Sequence, residues 1–173
     1  MDRVIENANF STLSSLIVVL GHEADIIREK IDFKAAKVIV NSEYGTGQSS
    51  SLRAGLDALP VGTDGAMFLL GDQPFVSTKI INNLICAFQK QPSGLIIPTY
   101  EGKRGNPVLV HSSIFDMVQG ITGDTGARVI FRSLGSQVRE VEVTNPGILV
   151  DIDTLEEYRR FVHLSDDSRR SRS

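Results

Sequence analysis

The sequence predicts an α/β domain, with a mainly parallel, twisted sheet and helices on both of its faces. Three observations carry that expectation. Short, continuous runs of aliphatic and β-branched residues recur along the chain, as in strands buried on both sides. Between them lie stretches whose apolar residues fall at helical spacing. Glycine, proline and aspartate gather just after the strand-like runs, at the strand ends where open sheets of this kind bind ligands.

The 173 residues suffice for one core and fall short of two ordinary domains, so residues 1–163 are expected to form one domain. Hydrophobic residues make up 41% and charged residues 23%, the profile of a soluble globular domain. The net charge of −3 argues against a nucleic-acid partner gripped by a broad basic face. The longest apolar run, residues 16–20, is far below the roughly 18 residues of a membrane span. No signal-peptide pattern opens the chain. The single Cys86 falls in an apolar stretch and reads as a small buried hydrophobe. A cytoplasmic, reduced protein is the expectation.

Residues 2–14 read as a weak helix, and residues 16–20 as a buried strand ended by Gly21. Residues 23–31 carry Ile26, Ile27 and Ile31 on one helical side, and residues 37–40 form a second strand. A loop with two glycines leads into a helix at residues 48–59, with Leu52, Leu56 and Leu59 facing the core and Pro60 as its stop. Residues 65–70 are a third strand. Ser77 caps a helix reaching to about Gln89. Residues 95–97 and 107–110 are strands separated by a Gly-rich loop, and Ser112 caps a brief helix. A loop from Gly120 to Gly126 precedes a helix near residues 127–133. Residues 138–143 alternate with charges, as an edge or antiparallel strand does. Residues 148–150 are read as a further strand and 154–162 as a last helix. Residues 164–173, nearly all Ser, Asp and Arg, have nothing to bury and are expected to be disordered.

Five constellations carry chemistry. In the first, a hydrophobic strand delivers Gly71, Asp72, Gln73 and Pro74 to its carboxyl end. Asp72 is a single oxygen ligand suited to Mg²⁺ shared with phosphates, or else a turn cap. In the second, Asp151 and Asp153 follow a short apolar run. Asp153 or Thr154 is also a natural cap for the next helix. The third is Gly47, Gln48, Ser49, Ser50 and Ser51 at a helix start, which suits a polar or anionic ligand or simple capping. It is not a P-loop, since no Lys follows its second glycine. The fourth is Lys103, Arg104, Gly105, Asn106 and Pro107, whose cations can meet a phosphate or only solvent. The fifth runs from Gly123 and Asp124 to Arg128, a cation in the first turn of a helix, where an anion would relieve it. There is no zinc spacing and no Ser-His-Asp signature, and His22, His111 and His163 read as structural or surface residues.

Taken in order, these segments resemble the MobA-like NTP transferase family, most closely its molybdenum-cofactor cytidylyltransferase branch. The matching stretches are residues 18–24, 47–55, 70–74, 104–108, 123–128 and 151–154, and the resemblance covers about residues 4–162. It implies a Rossmann-like fold of the nucleotide-diphospho-sugar transferase type. It implies Asp72 and Asp153 as the catalytic metal-binding carboxylates, with Asp151 beside them and Mg²⁺ as the cofactor. Gly47, Ser50, Ser51 and Gly71 would contact the nucleotide. Arg104, Gly105, Asn106, Asp124 and Arg128 would lie on the acceptor side. The implied partners are a nucleoside triphosphate, CTP or GTP, and a phosphorylated small molecule such as molybdopterin.

One departure is expected to matter. The family opens with a strand and a Gly-rich loop bearing Arg and Lys, which hold the triphosphate, and this chain begins inside the helix that follows. The shortened chain is therefore expected to transfer nucleotide poorly. A non-catalytic accessory protein that kept the acceptor loops is the alternative reading.

Overall fold

A computed structural model of the chain describes residues 1–123, 131–154 and 156–159. The tail expected at residues 164–173 lies outside the described residues.

The sheet is organised around β4 (Leu95–Tyr100), whose Leu95, Ile96 and Ile97 are wholly buried. Side chains alternate along a strand, and this one feeds two cores. Leu95 and Ile97 pack with Val108, Val110 and Val118 on one face, while Ile96 packs with Leu84, Leu109 and Ile148 on the other. β6 (Val108–His111) runs antiparallel to β4 and carries β3 (Gly65–Phe68) on its far side. β7 (Val138–Glu142) pairs with β4 in parallel. A separate parallel pair, β1 (Ile17–Leu20) and β2 (Lys37–Val40), completes the described strands together with the short β5 (Lys103–Arg104).

Connectivity sets the directions. β2 ends at a loop that opens α3 (Gln48–Asp57), and α3 runs back to the start of β3. β1, β2 and β3 therefore point the same way. β3, β4 and β7 share one direction as well, since β3 and β4 both oppose β6 and β7 follows β4. The expected mainly parallel arrangement holds, with β5 and β6 reversed. Helices cover both faces. α1 (Asp2–Asn9) and α4 (Thr78–Lys90) pack on one, and α3 and α5 (Phe115–Gln119) on the other.

Several elements differ from their sequence reading. The helix of residues 2–14 stops at Asn9, and the Thr12 amide turns to Asn82 Oδ1 (2.9 Å). The Gly-rich loop after residue 97 is a hairpin in part. Glu101 and Gly102 adopt φ of 49° and 72°, the paired positive values of a tight hairpin turn, and join β4 to β5. β7 is an edge strand among the described residues, but a parallel one. Residues 148–150 do not form a strand. They lie at the end of a 3₁₀ turn, Pro146–Leu149, which Asn145 caps by accepting the Gly147 amide at 2.7 Å. α2 (Ala24–Lys30) buries none of its residues fully, and Ile26 is 46% exposed. Cys86 is exposed too, on the outer side of α4, because Ile80, Ile81, Leu84 and Ala87 take the inner one. Ser77 caps α4 as expected, accepting from the Ile80 amide. The helix near residues 127–133 is described only as α6 (Phe131–Leu134).

The contrast between β4 and α2 has a measurable consequence. Ile97→Ala removes a fully buried side chain and is expected to cost about 2–5 kcal/mol. Ile26→Ala is expected to stay within about 0.5 kcal/mol. Urea unfolding of both variants checks the pair.

Candidate functional site

Past β3 the chain crosses Leu69 and Leu70 and turns, the Gln73 amide reaching back to the Leu70 carbonyl (3.3 Å). That turn leaves Asp72 at the surface and folds Gln73 inward, to 2% exposed. The Gln73 amide nitrogen donates to Asp151 Oδ1, and the Ile152 amide donates to the Asp72 carbonyl at 2.9 Å. Two segments almost eighty positions apart are thus stitched twice. The remaining oxygen of Gln73, Oε1, is buried with no hydrogen-bond partner.

The stitching sets the electrostatics. Partial desolvation raises the Asp72 pKa above its ordinary 3.8, and the charges of Asp151 and Asp153 raise it further. Its own backbone amide and the chain's amino terminus act the other way. Capping of the following helix falls to Thr154: the Glu157 amide donates to Thr154 Oγ1 (3.2 Å), while Glu157 Oε2 accepts from the Asp153 and Thr154 amides at 3.1 and 2.9 Å. This is a capping box, and it leaves the Asp153 carboxylate outside the cap. No strand precedes Asp151 and Asp153; their common influence on Asp72 is what relates them.

At the start of α3, Gly47 has φ 113°, a conformation that favours glycine. Ser50 faces inward: its hydroxyl donates to the Gly47 carbonyl and accepts from Asn41 Nδ2, both at 2.8 Å. Asn41 Nδ2 also reaches Ser51 Oγ at 3.1 Å. Asn41 is buried and organises the loop, a role the sequence reading missed; its signal was an Asn directly after an apolar strand. Arg53 donates to the Ile121 carbonyl (2.6 Å), and the Ser49 amide to that of Gly123 (3.3 Å), so the helix start is tied to the loop at residues 121–123. Ser51 and Gly71 line one cleft, and that brings the α3 loop to the Asp72 turn.

In the segment expected to meet the acceptor, Arg104 is held by Glu140, with Nη2 at 2.6 Å from Oε1. A Cβ on Gly105 would lie 2.4 Å from the Ile148 carbonyl oxygen, and the Asn106 amide donates to the same oxygen at 3.0 Å. Gly105 and Asn106 thus position the turn that leads to Asp151. Asp124 and Arg128 lie outside the described residues. Among the described residues, no three His, Cys, Asp or Glu side chains gather as a ready-made metal cage. The structure joins Gly71, Asp72, Asp151, Asp153 and Ser51, and it turns Ser50 away.

The family described as "MobA-like NTP transferase domain" matches residues 1–139. The chain belongs to this family. It is 36% identical over 115 residues to the "Purine catabolism protein PucB" of Bacillus subtilis, a match covering 65% of the chain and 54% of that protein; the chain thus spans about half the length of this relative. It superposes on the homologue of Mycobacterium tuberculosis Rv0371c from Mycobacterium sp. strain JC1 with a TM-score of 0.81 and 25% identity, over 94% of this chain and 80% of the other. M. tuberculosis Rv0371c itself, solved as a complex with manganese, gives 0.77 and 24%, over 91% and 83%. The fold is that of nucleotidyltransferases, mixed α/β with a sheet flanked by helices.

Two outcomes follow from the geometry. Asp72 holds its proton more tightly in the folded chain than in the unfolded one. Stability tied to that proton is present below the unfolded value of 3.8 and is lost as pH rises from there through the raised folded value. Asp72→Asn, which cannot ionise, is expected to be at least as stable as the parent at neutral pH and to lose that advantage near about pH 3. Thermal melts across this range test it. Gly105→Ala drives a methyl group into Ile148 and is expected to cost about 1–3 kcal/mol in urea unfolding.

Proposed function

We propose that the chain is a nucleotidyltransferase that moves a cytidylyl or guanylyl group from CTP or GTP to a phosphorylated pterin such as molybdopterin. The observation that carries this reading is the double stitch between the Asp72 turn and residues 151–152. It brings the Asp72 backbone and the Asp151 carboxylate together next to Gly71, which with Ser51 lines one cleft.

The residues fit a divalent cation. Asp72 and Asp151, with Asp153 near them, offer only hard oxygen donors, few enough for the cation to share its remaining positions with phosphate and water. Desolvation raises the Asp72 pKa most, and the charges of Asp151 and Asp153 add to it; a cation would offset that negative charge. When bound, Mg²⁺ would offset the charge of the phosphates; the manganese in Rv0371c supports a divalent ion of this kind.

The chain's own groups then have distinct tasks. Gln73 fixes the Asp151 carboxylate, and the Ile152 amide fixes the Asp72 backbone. Gly47 shapes the loop that presents Ser51 to the base and ribose, and Ser50 braces it from inside. Gly71 allows close approach of the nucleotide. Arg104 and Asn106, with Asp124 and Arg128, form the acceptor side. Arg104 has to exchange Glu140 for a phosphate. That pair is half-exposed and worth only about 0–1 kcal/mol, so the exchange costs little. An acceptor phosphate oxygen attacks the α-phosphorus of the triphosphate, the new phosphoanhydride forms, and pyrophosphate leaves with the broken α–β bond.

Calorimetric titration of magnesium with CTP or GTP into the parent and Asp72→Asn tests the site. A loss of about tenfold or more in metal-dependent affinity is expected, the scale of one charged contact. Equal affinities would remove Asp72 from the site. Pyrophosphate release with a molybdopterin acceptor tests the reaction, and tight binding without release would favour an accessory, non-catalytic role.

A further inference from the structure

We propose that Asn41 is a positioning residue that makes the Ser51 hydroxyl a hydrogen-bond donor toward the cleft, so that the site takes its nucleotide by an acceptor atom of the nucleoside. The inference rests on the nucleotide reading above and adds the direction in which that bond runs.

The orientation of the Asn41 amide is fixed by backbone. An asparagine side chain has an acceptor end and a donor end of the same shape, and only their partners tell them apart. The Glu43 N–H can only donate, and it meets the Asn41 side chain at 2.9 Å, so the atom it meets is Oδ1. Nδ2 is then the end that faces α3, with Ser50 Oγ at 2.8 Å and Ser51 Oγ at 3.1 Å. An amide nitrogen donates and does not accept. Both hydroxyl oxygens therefore accept from Asn41, one for each of its two hydrogens. Burial holds this arrangement in place. Asn41 is 6% exposed, and its own backbone amide donates to the Leu20 carbonyl at the end of β1 (2.7 Å). Turning the side chain over would set two donors against each other at Glu43.

The two serines differ in where their own hydrogens go. Ser50 donates to the Gly47 carbonyl at 2.8 Å. The same carbonyl takes the Ser50 amide at 3.1 Å, so both of its lone pairs are engaged. Ser51 sits one position further along α3, half-buried on the cleft wall, and its hydroxyl hydrogen has no acceptor among the described residues. Asn41 fills one side of the oxygen from behind, and the hydrogen is what remains to offer the cleft. A base carbonyl, a ring nitrogen or a ribose oxygen completes it, whereas an N–H of the base does not. Cytosine and guanine both carry such acceptors, and so does the ribose.

Asn41→Asp reverses the direction with almost no change of shape. One carboxylate oxygen still accepts from Glu43, but the other brings no hydrogens, so Ser51 turns its own hydrogen inward to meet it. Calorimetric titration of magnesium with CTP or GTP reads the result. Affinity is expected to fall about tenfold or more in Asn41→Asp and in Ser51→Ala. With Ser51→Ala already in place, Asn41→Asp is expected to cost at least about fivefold less than it does alone. The added charge of the aspartate acts with or without Ser51, so the difference isolates the bond. Repeating the cycle with 2′,3′-dideoxynucleotides separates the two sources of the acceptor: coupling that survives assigns it to the base, and coupling that vanishes assigns it to the ribose. Losses that simply add overturn the proposal.

A second measurement needs neither the aspartate variant to fold nor a nucleotide to bind. In the free parent chain, NMR is expected to show both side-chain amide hydrogens of Asn41 exchanging with water about tenfold or more slowly than those of the exposed Asn83. Ser51→Ala is expected to release one of them and leave the other on Ser50. Two fast hydrogens in the parent, or an unchanged pair in Ser51→Ala, overturn the Asn41–Ser51 link. The two readings fail differently. A parent that binds neither CTP nor GTP overturns the proposed reaction together with the ligand half of this inference, while a parent that binds with additive losses overturns this inference alone.

Discussion

A strand with both faces in the core must find both of its hydrogen-bond ladders inside the protein, because a buried backbone group without a partner costs as much as a lost hydrogen bond. β4 meets that demand with β6 and β5 on one edge and β7 on the other. Much else is placed by it. β6 carries β3 and so sets where the Asp72 turn emerges. β7 delivers the chain to Val143, whose amide bonds to Thr99 at the end of β4, and then to the turn that precedes Asp151. The two acidic segments meet because both are hung from the same central strand.

Their meeting is costly in itself. Asp72 is partly desolvated and also feels the charges of Asp151 and Asp153, and both raise its affinity for a proton. What holds them is neutral: an amide side chain and a backbone amide. Neutral clamps fix position without cancelling charge, so the negative potential of the rim stays available to a cation-bearing ligand. Had Arg or Lys held Asp151 instead, the geometry would survive and that potential would not.

The strand–helix rhythm was legible from the chain because β4, α4 and α3 have clear periods and clear stops. The turn that leaves Asp72 at the surface was legible as well, since Gly71 and Pro74 mark a turn at a strand end. The failures have physical causes. Ile148 and Leu149 look like a strand locally, but Asn145 and Pro146 make a capped 3₁₀ turn, and that choice is made by packing of Gly147 against Phe75. The β4–β5 hairpin was hidden because Glu101 is an unusual residue at positive φ. The buried position of Ser50 was hidden as well, because it depends on Asn41, nine positions away, which donates to its hydroxyl. α2 had the isoleucine spacing of a core helix with no core to face. Gln73 could not be separated from Asp72 by sequence, although burial gives the two opposite tasks.

The β1–β2–α2 corner has a consequence for how the molecule opens. α2 buries nothing fully, Val40 at the end of β2 is 48% exposed, and β1 meets the larger body chiefly through α3, where Gly55 lies against Val19. Segments with so few buried contacts detach at a small fraction of the global unfolding free energy. This corner will therefore breathe as a unit while β4 and its neighbours stay closed. A protease meeting the native protein would make its first cut there, in the exposed stretch between β1 and β2, and the β4-centred body would outlast it as a trimmed, still folded remnant.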